Sequence, residues 1–141
     1  MSVTSLLLPV FVQVALTFGL MGWMAKERRH ALVTGQVKAR DVALRQPNWP
    51  PRVTQIANCF HNQLELPMLF YALAAFVLIT HTNDIIFVVL AWVFVLLRLW
   101  HAYIHTTHNR VSARGGVFGL GLMVLFIMWL IFMVRILLGL P

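Results

Sequence analysis

The sequence predicts an all-α integral membrane protein, a bundle of four transmembrane helices. Of its 141 residues, 60% are hydrophobic and only 11% are charged, and the mean hydropathy is +0.82. Because a soluble domain carries about 25% charged residues, we expect most of this chain to lie in lipid. Four apolar stretches approach the length that crosses a bilayer, which is about 20 residues in a helix.

The four predicted spans follow one another with short links. No residue from Met1 to Ala25 is charged, and this stretch contains the first span. The second contains the uncharged run 66–83, the third begins at Ile85 and the fourth at Gly115. We place the spans at about residues 4–25, 54–81, 85–107 and 115–138, within a single domain that covers residues 1–141.

Basic residues predict how the spans are oriented. The net charge is +7, and seven of the eleven Lys and Arg residues lie between Lys26 and Arg52. Arg110 and Arg114 lie between the third and fourth spans. Since cytoplasmic links carry an excess of Lys and Arg, we expect both links in the cytoplasm and both termini on the other side. Nucleic acid is not an expected partner, because its recognition needs a basic, water-exposed module for which these links are too short.

One group of polar residues lies at the start of the second span. At about 100° per residue, Asn58, Asn62 and Glu65 fall on one face of a helix. Pro67 lacks an N–H group and is expected to kink this helix beside Glu65. Polar groups inside a span are costly in lipid, so this face is a candidate site. The alternative is that these residues only join helices through hydrogen bonds, with Glu65 paired to Arg98.

A second polar face is predicted on the third span. Arg98, His101, His105 and His108 fall within one arc, whereas Trp100 and Tyr103 point elsewhere. In the structural alternative, Arg98 neutralises a carboxylate and the histidines lie at the membrane interface. A metal is a further alternative, because histidines at an i, i+4 spacing can bind one ion. It would need ligands from His61, Glu65 or His108, and no metal is expected.

Arg110 and Arg114 are candidates for binding an anion. A guanidinium can bind a carboxylate, or it can favour the charged form of a thiol. The alternative is that Arg110 and Arg114 only set the membrane topology. This alternative is stronger for Lys38 and Arg40, which lie in the first link, between the first and second spans. Because Cys59 is the single cysteine, an internal disulfide is excluded. Cys59 lies next to Phe60 on an apolar helix, and we expect it to be inert packing and not a nucleophile.

These residues resemble the MAPEG superfamily, the membrane-associated proteins in eicosanoid and glutathione metabolism. The four spans and the basic first link are similar to the plan of that family. Asn62-Gln63-Leu64-Glu65 resembles its N-x-x-E motif. Arg98-x-x-His101, with Arg114 sixteen residues after Arg98, resembles its microsomal glutathione transferase branch. The surrounding residues are most similar to a bacterial branch.

The resemblance implies a homotrimer in a bacterial inner membrane, with sites between subunits near the cytoplasmic face. Its co-substrate would be glutathione, and its other partners would be membrane lipids and hydrophobic small molecules. Arg114, or its rival Arg110, would stabilise the glutathione thiolate. The residues expected to bind glutathione are Arg29 (or Arg28 in its place), Asn58, Asn62, Glu65, Arg98, His101 and His105.

The sequence departs from the family at positions that bear on function. Asn58 stands where glutathione-using members have an arginine, and His101 and His105 replace the tyrosines of some members. The family also includes a non-enzymatic member that binds lipid. The resemblance therefore implies two alternative functions. One is a glutathione-dependent transferase or peroxidase that acts on hydrophobic electrophiles or lipid hydroperoxides, and the other is a non-enzymatic lipid or small-molecule binding protein.

Overall fold

The computed structural model of the protein describes residues 2–139, which form five α-helices and two short 3-10 turns and contain no strand. The second and third helices together make one candidate span, Pro51–Ile79, so that four stretches are long and apolar enough to cross a membrane. The predicted all-α fold with four spans is confirmed. The helices are α1 (Val3–Val33), α2 (Pro51–His61), α3 (Leu66–Ile79), α4 (Ile85–Thr106) and α5 (Val111–Leu138).

The helices extend beyond the apolar stretches at the end where the basic links lie. α1 continues through the basic residues after Ala25 and ends at Val33. α5 begins at Val111, and the Arg114 N–H donates to the Arg110 carbonyl at 2.9 Å. Arg114, which we placed in the link between the third and fourth spans, instead lies in the first turn of α5. Its position in the first turn of a helix gives its backbone a fixed place.

An apolar core fills the half of the bundle that lies away from the basic links. It is centred on the stacked rings of Phe70 in α3 and Phe94 in α4, whose centroids are 4.8 Å apart. Leu6 of α1 and Met128 of α5 pack into the same core from opposite sides. Many large apolar side chains on the outer faces of the helices are exposed, as expected for surfaces that contact lipid.

The second span is broken between α2 and α3. Asn62–Leu64 forms a 3-10 turn, and Glu65 adopts φ −97° and ψ −101°, outside the helical range. Pro67 lies in the first turn of α3, where a helix needs no N–H donor. The kink predicted beside Glu65 is confirmed, and it is a full interruption of the helix.

A buried polar network joins the break to two other helices. Gln63 Oε1 accepts hydrogen bonds from Gln13 Nε2 of α1 at 3.0 Å and from Arg98 Nη2 of α4 at 3.2 Å. Arg98 Nη2 also donates to the Asn62 carbonyl at 2.7 Å, and Gln63 Nε2 donates to the Cys59 carbonyl at 3.1 Å. Gln13, Gln63 and Arg98 are each at most 1% exposed. The network therefore supplies partners inside the bundle for backbone groups that the break frees.

The alternative pairing of Arg98 with Glu65 does not occur. Glu65 is exposed, and within residues 2–139 neither side chain forms a salt bridge. The Arg98 guanidinium instead lies over the Phe118 ring, 5.9 Å from its centroid, and bonds to a carbonyl and an amide.

An ion pair closes the opposite end of the bundle. Arg135 Nη2 of α5 lies 2.6 Å from Asp84 Oδ2, and Asp84 Oδ1 accepts from the Phe87 N–H as the N-cap of α4. Burial opposes ionisation of Asp84, but the hydrogen bonds from the Phe87 amide and from Arg135 outweigh it and lower the pKa of Asp84. The ionised carboxylate therefore joins α5 to the start of α4.

We expect Asp84→Asn to lower the free energy of unfolding by about 1 kcal/mol at neutral pH, since it removes a partly exposed ion pair. Folding lowers the pKa of Asp84. The contribution of Asp84 to the free energy of unfolding is therefore complete above the unfolded pKa of about 3.9, and it is lost as the pH falls through the folded pKa. Thermal unfolding in detergent at neutral and acidic pH measures this difference. Asp41→Asn is the control, since Asp41 pairs with the largely exposed Arg40. An equal effect of both substitutions would contradict the role of Asp84.

Substitution of the two buried glutamines should have unequal effects. Gln13→Leu removes one interhelical hydrogen bond, which in a membrane contributes about 0.6 kcal/mol. Gln63→Leu also takes a partner from the buried Arg98 guanidinium, and we expect it to destabilise the protein by about 2 kcal/mol or more. Unfolding in mixed micelles with increasing denaturing detergent measures both. If Gln13→Leu were the more damaging change, the network would not depend on Arg98.

Candidate functional site

Four polar residues meet where the break in the second span faces α4 and α5. Asn62 Nδ2 lies 3.4 Å from His101 Nε2 and 3.4 Å from His105 Nδ1. Arg114 Nη1 donates to His105 Nε2 at 3.2 Å and to Asn109 Oδ1 at 2.6 Å. We call Asn62, His101, His105 and Arg114 the histidine cluster.

Each member of the histidine cluster is placed by a different part of the fold. His101 and His105 lie one turn apart on the inner face of α4, and both are 2% exposed. Asn62 is the C-cap residue of α2 and keeps a helical backbone, and its side chain faces the histidines of α4. His101 Nδ1 lies 3.2 Å from the Arg114 carbonyl, which can only accept. His101 therefore donates from Nδ1, ties the first turn of α5 to α4, and keeps Nε2 as an acceptor for Asn62.

α2 also holds the end of α4 in place. Arg52 Nη1 donates to the Thr106 carbonyl at 2.6 Å, and Gln55 Nε2 donates to the His105 carbonyl at 2.7 Å. The last carbonyls of a helix have no partner within the helix, and a cation is favourable there. These contacts fix the backbone of His105, on which the position of Arg114 depends.

The histidine cluster presents positive charge at its accessible edge. Asn62 and Arg114 are half-buried, whereas His101, His105 and Arg98 lie behind them and are buried. The two hydrogen bonds of Arg114 Nη1 leave the Nη2 and Nε donors for another group. None of the hydrogen-bond partners described for these side chains is a carboxylate. The arrangement can therefore stabilise an anion such as a carboxylate or a thiolate.

Three residues that we expected on one face lie apart. Asn58, Asn62 and Glu65 do not form a single stripe: Asn62 joins the histidine cluster, Asn58 lines a different cavity, and Glu65 is exposed at the break. The prediction assumed a continuous helix, and the 3-10 turn at Asn62–Leu64 changes the direction of the chain before Glu65. Asn58 and Asn62 both precede that change, but Asn58 is exposed whereas Asn62 faces α4.

Two of the predicted arginines lie outside the histidine cluster. Arg110 is exposed at the N-cap position of α5. Arg29 is exposed on α1, beside a groove of about 720 Å³ whose lining residues all belong to that helix. Of the two candidates for stabilising a thiolate, only Arg114 is held by the histidines.

The face predicted for α4 is confirmed for three of its four members. Arg98, His101 and His105 are buried on one side, while Trp100 and Tyr103 are exposed. His108 does not belong to this face, because α4 ends at Thr106. Among residues 2–139, no three His, Cys, Asp or Glu side chains form a group that could hold a metal ion.

Sequence reasoning missed three residues that support the site. Gln13 and Gln63 complete the buried polar network, and Asn109 holds Arg114. Gln13 carried a usable signal, since a buried amide in an apolar span needs a partner on another helix. Asn109 carried none, because its role depends on its left-handed backbone (φ 47°) after the end of α4.

Comparison with known proteins places the chain in a family. The model of the MAPEG family matches residues 6–134, nearly the whole chain. No curated protein and no solved structure matches it. Family membership accounts for the four apolar helices of an integral membrane protein and associates the chain with glutathione-related or binding roles in membranes. The chain belongs to the MAPEG family.

Proposed function

We propose that the protein is a membrane-embedded, glutathione-dependent transferase or peroxidase that acts on hydrophobic electrophiles or lipid hydroperoxides. The observation that carries this proposal is the position of Arg114. Its guanidinium is held by His105 and Asn109 and keeps donors at the accessible edge of the histidine cluster, beside Asn62. Membership of a glutathione-associated family supports the choice of thiol.

The proposed chemistry asks the protein chiefly for a thiolate and for orientation. A free thiol has a pKa of about 8.5, and a nearby cation lowers it by favouring the charged form. Arg114 would supply that cation. The thiolate sulfur then bonds to the electrophilic carbon, and the leaving group departs with its electron pair. With a hydroperoxide, the sulfur takes one oxygen, the alkoxide takes a proton, and a second glutathione completes the disulfide with loss of water.

The other predicted residues have distinct parts in this proposal. Asn62 and Glu65 would bind the polar ends of glutathione, with Glu65 taking the free amino group. Arg98 supports the site from behind, because its donors bind the Asn62 carbonyl and Gln63. The exposed Arg29 would reach glutathione from a neighbouring subunit of the homotrimer that we propose.

We also propose the orientation and location of the protein. The histidine cluster lies at the end of the bundle that carries the basic links, so it would face the cytoplasm, where glutathione is supplied. Both termini would lie on the other side of a bacterial inner membrane. Hydrophobic substrates would enter sideways from the lipid.

Lipid or small-molecule binding without chemistry is the second candidate function. It is favoured by an apolar groove of about 270 Å³ between α1 and α4, lined in part by Leu16, Leu20, Leu99 and Tyr103. This groove fits a hydrocarbon tail whether or not a thiol is bound nearby. The two candidates differ in whether glutathione ionises on the protein.

Titration of reduced glutathione onto the detergent-purified protein, followed by the ultraviolet absorbance of the thiolate, tests the proposal. We expect saturable thiolate formation that Arg114→Ala abolishes. Arg110→Ala is the matched control, since it removes the same charge four residues earlier on an exposed side chain, and it should retain the thiolate. Binding without ionisation would favour the second candidate function. Equal effects of the two substitutions would contradict the assignment to Arg114.

Glu65 should contribute to binding through the amino group of glutathione. We expect Glu65→Gln to weaken glutathione binding about tenfold, the loss of one charge-assisted hydrogen bond. The same substitution should leave the weaker binding of N-acetylated glutathione unchanged, because that ligand has no ammonium group. Calorimetric titration of both ligands measures this. A similar loss for both ligands would contradict the contact with the amino group.

A further inference from the structure

A separate cavity lies between the first link and α2. Its volume is about 600 Å³, and it is lined by Arg28 at the end of α1, by residues of the link and by one face of α2. Asn58 and His61 supply polar groups from α2. None of the four residues of the histidine cluster lines it.

The cavity carries positive charge that no carboxylate balances. Arg28 and Arg45 both line it, and the Arg28 Nε atom is buried without a hydrogen-bond partner. None of the four acidic residues of the chain is among the lining residues. Three of them adjoin lining residues in the sequence: Glu27 accepts from Trp23, Asp41 pairs with Arg40, and Glu65 is exposed at the helix break. The exposed guanidinium of Arg45 is therefore available to an anion here, beside the half-buried Arg28.

The first link, between α1 and α2, is a folded segment that forms one side of the cavity. Trp49 packs against the apolar group formed by Ala31, Val37 and Val53, and the Arg28 guanidinium lies 5.2 Å from the centre of its ring. Asn48 Nδ2 donates to the Asp41 carbonyl at 2.7 Å and closes the link on itself. Arg28 and Arg45 therefore line the cavity from a backbone that is already folded.

The link also contains a strained residue at the cavity. Arg45 has φ 62°, in the left-handed region that residues other than Gly and Asn rarely adopt. Strained backbone of this kind occurs where a side chain must be placed for function. Arg45 is exposed, so its guanidinium is accessible to a ligand from outside the protein.

The cavity has apolar side chains beside its polar ones. Its lining runs along α2 from Thr54 to His61, about 10 Å along the helix axis, and continues to Leu64 in the 3-10 turn. Phe60 and the half-exposed Leu64 lie toward the membrane end of this lining. A ligand that fills the cavity would carry negative charge at one end and hydrocarbon at the other.

We propose that this cavity binds the phosphate-bearing headgroup of an anionic phospholipid. Arg28 and Arg45 bind the phosphate, and the first part of an acyl chain lies along Phe60 and Leu64. The site would fix the first link to the membrane surface. The cavity shares Asn58, and Arg28 as the alternative to Arg29, with the residues expected to bind glutathione, so the test must distinguish the lipid from glutathione.

Native mass spectrometry of the full chain in a non-ionic detergent tests this site, with short-chain phosphatidylglycerol as the anionic probe and phosphatidylcholine of equal chain length as the zwitterionic one. We expect phosphatidylglycerol to bind at least about tenfold more tightly, and Arg45→Asn to remove that preference. Asn tolerates the left-handed backbone, so this variant keeps the link folded. Arg40→Asn is the matched control: it removes one charge from the same link, on a side chain that is 78% exposed and outside the cavity, and it should keep the preference.

Four results would overturn the proposal. Equal binding of the two lipids would show that the anionic headgroup is not recognised. An equal loss in Arg45→Asn and Arg40→Asn would show a general effect of charge. Displacement of the lipid by inorganic phosphate at the same concentration would assign the site to free phosphate, and displacement by glutathione would assign the cavity to the thiol site.

Discussion

The contact between Arg98 and the break in the second span is the interaction on which the rest of the structure depends. A helix that stops inside a membrane leaves backbone carbonyls without partners, and an arginine inside a membrane needs acceptors. Arg98 Nη2 meets both requirements in part, because it donates to the Asn62 carbonyl and to Gln63, whereas Arg98 Nε and Nη1 are buried without a hydrogen-bond partner. Gln13 extends this contact to α1. A polar interaction within the bundle thus fixes where the second span changes direction.

The candidate site lies where α2 ends at that change of direction. Asn62, the C-cap of α2, faces His101 and His105, and His105 receives a hydrogen bond from Arg114. Both histidines are buried, while Arg114 remains half-buried. One cation therefore lies at the accessible edge of a buried polar cluster, and the outer faces of the surrounding helices are apolar. The function that we propose, a reaction between a polar thiol and a substrate that arrives through the lipid, requires this combination.

Much of the fold could be predicted from the sequence, because apolar length and the positions of charges decide where a chain crosses a membrane. The face shared by Arg98, His101 and His105 was also predictable, since α4 is a regular helix at those residues. The course of the second span was harder to predict. Pro67 indicated a kink, but not that a 3-10 turn would separate Glu65 from Asn62. The partners Gln63 and Asn109 depend on that turn and on a left-handed residue, and helical periodicity contains no information about either.

The most direct test of the account is an experimental structure of the protein with reduced glutathione, determined by electron cryomicroscopy in lipid nanodiscs. The account predicts the thiol sulfur within contact of the Arg114 guanidinium, the peptide beside Asn62, and the Arg98 side chain still bonded to the Asn62 carbonyl. Glutathione bound away from Arg114, or a continuous second helix with Arg98 facing elsewhere, would contradict it.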